Sequence, residues 1–488
     1  MNCSNCGHQN PDDIKSCESC GYDFSVSEST QLKAKTSRLA IFSLVLAISS
    51  LLFFVFTGLP AMLFGYKSIL NIRKSEGKLK GKSIAKAGII IALIFICLYR
   101  VIMSDAPPIE NDYTIKDIRS SSSYAQQSYA WLMSLADVND NIPGATAIGL
   151  SESDLKNLNR INRILDTKNL DKISARVQEN EDIIMSLWHN SKKGRDILTQ
   201  LNEFPEIADL SSPGFELPVY LRNLRRLFMI HRAYIYLQIL KGNHMEAMRL
   251  FVKLDSINKK LSLNARDIVT KLANIAFFAV EFQIANFIAN NEKSPKLILL
   301  MLKAHIESFS EKHTSMKNSI IFEYLKFKNS SLKVRHAPLF KYNSTLKLQR
   351  NFLDKWIAIE ENREPYQGLK VWPDFYPNLP IELRKGHKLP LYYKLYNPYG
   401  SLLASITRLN MEMVFKVRLS SQIESDMLKI ALNKRLGEEI DLTARAYSDE
   451  YIIDIEKKYI ISPGPNGKIG MGDDIKLPIN PEVLGFTD

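Results

Sequence analysis

The sequence predicts a mainly α fold, with a small cysteine-bound module at its start, apolar helices after it and a minor β element at its end. Three observations predict this. Four of the five cysteines fall within the first twenty residues, uncharged apolar runs follow between residues 39 and 103, and most of the remainder repeats apolar residues at helical spacing. At 488 residues and 45% hydrophobic content the chain can bury at least one sizeable core. The expected division is a ribbon over 1–24, a linker over 25–38, a membrane module over 39–103, a second linker over 104–150, a helical domain over 151–363, a Pro-rich connection over 364–390 and a C-terminal tail over 391–488.

Cys3-x-x-Cys6 and Cys17-x-x-Cys20 are two knuckles whose thiolates can converge on one tetrahedral cation, with ten residues between the pairs. Gly7 and Gly21 follow the second cysteine of each knuckle, where a tight turn lets backbone amides point at sulfur. Four thiolates leave no position for substrate, so the expected zinc is structural and His8 is unnecessary as a ligand. Neither CxxC pair sits in a strand-to-helix context, which argues against thioredoxin-type redox chemistry. With Asn10-Pro11 and Tyr22, the pattern resembles the short zinc ribbons that begin many bacterial membrane proteins.

Leu39 to Tyr66 is a 28-residue run without charge. At about 1.5 Å per residue it is long enough to cross a hydrocarbon core of about 30 Å. Ala87 to Met103 is a second run, broken only by Arg100 near its end, where a long side chain can snorkel to the interface. Two membrane segments are therefore expected. The first is not a cleaved signal peptide, since the ribbon and a polar stretch precede it. Between them, over 67–86, lie Lys67, Arg73, Lys74, Lys78, Lys80, Lys82 and Lys86, opposed only by Glu76, and such a loop belongs in the cytoplasm.

A simple two-helix hairpin would leave four free thiolates outside, an uncomfortable place for them. Gly58-Leu59-Pro60 can break or kink the first run, and a fold-back over Ala61 to Ile72 would put ribbon and basic loop on one side. The chain beyond residue 105 is then extracytoplasmic, in a bacterial inner membrane. The formal charge of +12 fits this reading better than nucleic-acid binding, because residues 1–104 hold 12 Lys and Arg against 6 Asp and Glu and flank the apolar runs. Gly58, Ala61, Gly65, Tyr66, Ile69, Ile72, Gly77, Gly81, Ala85 and Gly88 resemble an uncharacterised bacterial membrane domain of two apolar helices that commonly follows a zinc ribbon, with Tyr66 where a histidine is more usual. The glycines equally suit close helix packing. No cysteine lies beyond Cys97, so cysteine usage is silent on the compartment of the larger region.

Asp105-Ala-Pro-Pro and Ser120 to Ser123 mark a linker. Ser151-x-x-Asp154 then reads as a capping box before Leu155, Leu158, Ile161, Ile164 and Leu165. Helical spacing continues over Leu170 to Trp188, Val219 to Leu240, Met245 to Ile257 and Asn264 to Asn290. The segment Ala233 to Phe251, with a Gly242-Asn243 turn and Ala247 and Phe251 four apart, resembles one tetratricopeptide-like hairpin, but no 34-residue repeat surrounds it and plain helical packing is the favoured reading. Arg222, Arg225, Arg226 and Arg232 form the densest basic patch, either a solvated face or an anion site.

Glu364 to Pro390 is dense in proline and reads as an irregular connection, with helix again over Leu402 to Leu436. Glu450 to Ile461 alternates as one or two strands would. The final signal is the glycine-rich, acidic stretch from Ser462 to Ile475. With Tyr396 to Gly400, it resembles the tail of major pseudopilins of type II secretion, and also large membrane-anchored bacterial proteins of unknown function. The first resemblance implies calcium, with Asp473, Asp474 and Asn466 supplying oxygens; the alternative is a polar turn. Against a pilin, the ribbon and apolar runs occupy the place of a prepilin leader.

The histidines are dispersed and no nucleophile elbow, phosphate loop or dinucleotide fingerprint occurs. The expected function is a membrane-anchored, non-enzymatic module whose helical region binds an unidentified protein or envelope partner. Alternatives are an assembly component of a secretion or pilus-like system, and a hydrolase built from His231, His305 and Glu307.

Overall fold

The computed structural model describes residues 1–24, 34–53, 55–118, 123–137, 145–167, 169–212, 218–336, 340–361, 396–397, 399–400, 402 and 411–486. The Pro-rich connection over 364–390 and the start of the helix expected from Leu402 lie outside these residues, as do the Arg100 side chain and Ser120 to Ser122. The chain forms two compact units, Met1–Asp105 and Ala106–Asp488.

In the first unit, the ribbon is followed by β1 (Lys35–Thr36), α1 (Arg38–Phe53), α2 (Val55–Lys74), β2 (Leu79–Lys80) and α3 (Lys82–Met103). The 28-residue run is not one helix. α1 and α2 lie side by side, with Gly58 against Ser50 and Gly65 against Ser43, so the chain folds back between them, while Pro60, the stronger breaker by composition, sits inside α2. The module therefore has three helices rather than two. They pack through small residues: Ala40, Ala47, Ala61, Ala85 and Ala92 are fully buried. At Gly88 an added Cβ would stand 2.5 Å from Ser43 Oγ and 3.1 Å from the Leu44 backbone nitrogen, so only glycine lets α1 and α3 approach this closely. Ser43 Oγ donates to the Ala61 carbonyl at 2.8 Å, tying α1 to α2. β1 pairs with β2 in parallel, Lys35 opposite Leu79 and Thr36 opposite Lys80. The chain entering α1 and the basic loop between α2 and α3 are thus at one end of the bundle.

The second unit begins with a 3₁₀ turn (Ile115–Ile118) and α4 (Ala125–Met133), then α5 (Glu152–Leu165), α6 (Leu170–Glu179), α7 (Glu181–Asn190) and α8 (Lys192–Glu203). α9 (Leu221–Leu240), α10 (His244–Leu263), α11 (Ile268–Ala289), α12 (Lys296–Glu307), α13 (Glu311–Thr314), α14 (Lys317–Lys333), α15 (Tyr342–Glu361) and α16 (Met411–Leu436) follow. The unit closes with β3 (Ile452–Asp454), β4 (Tyr459–Ser462), β5 (Ile475–Pro478) and α17 (Pro481–Leu484).

The Ser151 capping box forms: Asp154 N–H donates to Ser151 Oγ at 3.1 Å and Ser151 N–H to Asp154 Oδ2 at 2.9 Å. The expected hairpin also forms, α9 turning into α10 through Gly242 at φ +82°, with Ala247 and Phe251 buried. Leu170 to Trp188 splits into α6 and α7 at Asn180.

α11 lies in the middle of this unit, against α9, α10, α14 and α16. Among the described residues it is the helix long and apolar enough to cross a membrane, yet 72% of that stretch is already covered by protein, and its burial makes it a core helix. β3, β4 and β5 form an antiparallel meander. Asn286 Nδ2 donates to the Pro478 carbonyl at 2.7 Å, and Asn480 N–H to Asn290 Oδ1 at 2.6 Å. The stretches over 104–150, 151–363 and 391–488 thus share one core, from Ile118 and Leu132 through Phe278 to Ile460 and Phe486.

Candidate metal centre

The two N-terminal knuckles have the same backbone. Cys3 N–H donates to the His8 carbonyl at 2.9 Å and Gly7 N–H to the Cys3 carbonyl at 2.8 Å; Cys17 to Tyr22 and Gly21 to Cys17 repeat the pattern, each at 2.8 Å. Gly7 and Gly21 hold φ at +78° and +68°, the left-handed region that turns each chain back over its own sulfurs.

The four Sγ atoms lie within 4.8 Å of one another, with Cys3 to Cys20 at 3.7 Å and Cys6 to Cys17 at 3.6 Å. A tetrahedron with metal–sulfur bonds of about 2.3 Å has edges of about 3.8 Å, so the spacing fits a single tetrahedral ion. Cys3 and Cys17 are buried, while Cys6 and Cys20 face solvent.

Donors surround the sulfurs. Asn10, itself buried, donates its side-chain amide to Cys17 Sγ at 3.5 Å and to the His8 carbonyl at 2.9 Å, and Asn5 reaches Cys20 Sγ at 3.8 Å. Burial opposes ionisation of Cys17, but the backbone amides of Cys20 and Ser19, the Asn10 amide and the Cys6 thiol outweigh it and hold its pKa down at about 6. The His8 amide favours the Cys6 thiolate too, yet the Cys20 thiol, burial and the Cys17 thiol prevail and raise its pKa to about 12. Two sulfurs this close favour sharing one proton, and a cation at the centre would take its place. The spacing of the cysteines was readable from the sequence; the role of Asn5 was not.

The other residues singled out in the sequence are dispersed. His231 is fully buried, its Nδ1 2.8 Å from the Leu227 carbonyl, and burial pushes its pKa down to about 3. His305 Nδ1 lies 2.9 Å from Asp255 Oδ2, which also receives Lys259 at 2.8 Å. Glu307 pairs with Lys303 at 3.5 Å. Each of the three thus has its own partner rather than one of the others. At the C-terminal loop, Asp473 accepts from the Asn466 backbone N–H at 3.1 Å and from the Asn466 side-chain amide. Asp474 Oδ2 accepts from Gly470 N–H at 2.8 Å and pairs with Lys476 at 3.1 Å. The loop's carboxylates are therefore engaged by its own donors. Arg232 leaves the basic patch: it is buried and donates to Gln283 Oε1 at 2.8 Å.

Residues 39–102 match a domain of unknown function (DUF4190), the span of α1, α2 and α3. No curated protein and no solved structure matches the chain, so the pseudopilin-like tail finds no support there.

Proposed function

We propose that this protein is a membrane-anchored, non-enzymatic module of the bacterial cytoplasmic membrane, in which α1–α3 form the anchor, a structural zinc ribbon sits on the cytoplasmic side, and the helical unit binds a protein or envelope partner outside. The observation that carries the reading is the outward face of the three-helix bundle. Ile41, Phe42, Val45, Phe56, Leu63 and Leu93 are all exposed, Phe56 by 90%, on a bundle whose interior is alanine, serine and glycine. Water does not tolerate such a surface on a monomer, whereas lipid does.

Orientation follows from charge and strand pairing. Lys35 and Arg38 lie at the same end of the bundle as Lys78, Lys80 and Lys82, and positive charge at one end marks the cytoplasmic side. α1 and α2 leave that end and return to it. α3 leaves it once, which carries the rest of the chain across. Zinc is the ion that suits a closed set of four thiolates in a reducing compartment.

The test is labelling of spheroplasts by a membrane-impermeant maleimide, in a Cys97→Ala background. Ser153→Cys is expected to label in intact spheroplasts and Lys78→Cys only after lysis. Labelling of Lys78→Cys in intact spheroplasts, with Ser153→Cys protected, would overturn the orientation; equal labelling of soluble protein would overturn the anchor.

A further inference from the structure

α5, α9 and α11 line an open cleft of about 870 Å³ in the second unit. Its size falls in the range of small-ligand sites, roughly 300–1,000 Å³. Helical spacing decides what faces it. α9 presents Arg222, Arg225, Arg226 and Met229 on one face, α5 presents Leu158, Asn159, Asn162 and Arg163, and α11 presents Val269, Ala273, Ala276 and Phe277. Ala273 and Ala276 are small, which is why a cavity remains over α11.

The cleft is two-sided in chemistry. Four arginines, Arg163, Arg222, Arg225 and Arg226, line it, and none of the described residues lining it is acidic. Arg226 donates to Asn223 Oδ1 at 2.7 Å and stands 4.0 Å from Asp137, which also accepts from Asn223 at 2.9 Å. Arg225 has no hydrogen-bond or ion-pair partner among the described residues. Desolvation and the nearby Arg222 cation lower the Arg226 pKa despite Asp137, as expected where like charges crowd. Arg222, Arg225 and Arg226 also occupy the first two turns of α9, whose N-terminus has no side-chain cap and whose dipole favours an anion there. Opposite them, Met229, Val269 and Phe277 with the two alanines form an apolar wall.

We propose that this cleft binds a phosphate-bearing amphiphile, its phosphate held by Arg163, Arg222, Arg225 and Arg226 and its apolar body laid along Met229, Ala273, Ala276 and Phe277. A phosphate suits the polar side better than a carboxylate, since it carries up to two charges and three acceptor oxygens for several planar guanidinium forks. The sequence could not join Arg163 to the patch, because it comes from α5, some sixty residues before α9. The inference goes beyond the anchoring role and does not depend on it. A membrane lipid and a soluble organic phosphate would both present this chemistry.

The test is titration calorimetry on the full chain in neutral detergent at low salt, with hexyl phosphate, phenyl phosphate and inorganic phosphate as probes. Hexyl or phenyl phosphate is expected to bind at least about tenfold more tightly than inorganic phosphate, and Arg225→Gln to weaken that binding about tenfold. Ala276→Phe, which fills the apolar side, is expected to weaken the organic phosphates while leaving inorganic phosphate unchanged. Preference for the hexyl chain assigns a lipid source and preference for the phenyl ring a soluble one, and both support the site. Equal affinity for all three probes, no binding by any, or binding untouched by Arg225→Gln overturns it. Arg225 is exposed and has no partner among the described residues, so Arg225→Gln is expected to fold and decides the matter even if Ala276→Phe does not.

Discussion

The three-helix bundle of the first unit and the helical core of the second are built inside out with respect to each other. The bundle buries Ala40, Ala47, Ala61, Ala85 and Ala92 and exposes Phe42, Phe56, Leu59 and Leu63. The second unit buries Phe228, Phe251, Phe278, Phe322 and Phe415. Both are helical, and both are rich in apolar residues. The difference is the solvent each arrangement suits: large side chains go inward where water drives them there, and outward where lipid surrounds the protein and only backbone approach and packing hold helices together. The N-terminal 24 residues are a third solution, a module with almost no core and four converging cysteines in its place.

The ribbon gives the largest expected effect. Binding of a structural zinc contributes on the order of 10 kcal/mol to the fold of such a module. One zinc per chain is expected by elemental analysis under reducing conditions, and chelation should open Lys15 to trypsin while leaving the far-ultraviolet signal of the helical unit unchanged. Zinc retained by a Cys17→Ser, Cys20→Ser double variant would break the assignment.

Next come mirror substitutions in the two helical regions. Phe278→Ala is expected to cost about 3–5 kcal/mol in the second unit, because its ring is fully buried between Phe282, Phe309 and His313. Phe42→Ala in the bundle should change stability in detergent by less than about 1 kcal/mol, since Phe42 is 59% exposed. Enlargement has the opposite ranking. Gly88→Leu must push α1 from α3 and cost about 1–3 kcal/mol. A disulfide between Thr36→Cys and Lys80→Cys, which are register partners, should form readily in the otherwise natural protein and poorly with Gly88→Leu. Equal tolerance in both regions would remove the contrast.

How much of this was readable in advance depends on how local the cause is. The ribbon was legible because its four ligands lie within eighteen residues of sequence, and the Ser151 box and the Gly242 turn because each is set by adjacent residues. The fold-back between α1 and α2 was not, since the more obvious breaker, Pro60, is accommodated within α2 and no glycine or proline lies between Leu39 and Thr57. β5 also went unread, its short Ile475–Pro478 stretch being made a strand by pairing with β4. The shared core of residues 118–486, the pairing of His305 with Asp255 and the meeting of Arg163 with the α9 arginines are all products of tertiary packing, and no spacing along the chain encodes them.

Buried ionisable groups of the second unit should give it a pH dependence with a defined sign. The His231 pKa, about 3 in the folded chain, lies below its unfolded value near 6.5, so the unfolded chain binds the extra proton between these limits. The stability is complete above about pH 6.5 and is lost as pH falls toward 3. Relative to His231→Leu, the natural protein should lose roughly 3 kcal/mol between pH 7 and 4, measured by urea unfolding. Lys271, whose pKa burial lowers to about 7, acts in another window: stability rises with pH from about 7 to 10.5, and Lys271→Met should flatten that rise. A pH response unaffected by these substitutions would mean that neither group is held in a dry interior.

The smallest expected effect concerns the C-terminal loop, where a polar turn and a calcium site predict different things. As a turn, Asp473 is worth the two hydrogen bonds it accepts from Asn466, and Asp473→Ala should cost about 1–2 kcal/mol with or without calcium. As a calcium site, the loop would have to surrender the Asn466 side-chain amide so that its oxygen faces the ion, and Asp474 would have to turn from Gly470 and Lys476 or use its Oδ1, which is buried without a hydrogen-bond partner. A site of so few charges binds at about 10⁻³ M, and 10 mM calcium would then stabilise the unit by no more than about 1.4 kcal/mol. Thermal unfolding with and without 10 mM calcium separates the two. A shift abolished by Asp474→Asn would establish the ion, whereas an unmoved midpoint together with a destabilised Asp473→Ala is the outcome the hydrogen bonds of this loop predict. The first result would give the second unit a metal-dependent element, as is expected of the ribbon, and the second would leave its stability to packing and hydrogen bonds alone.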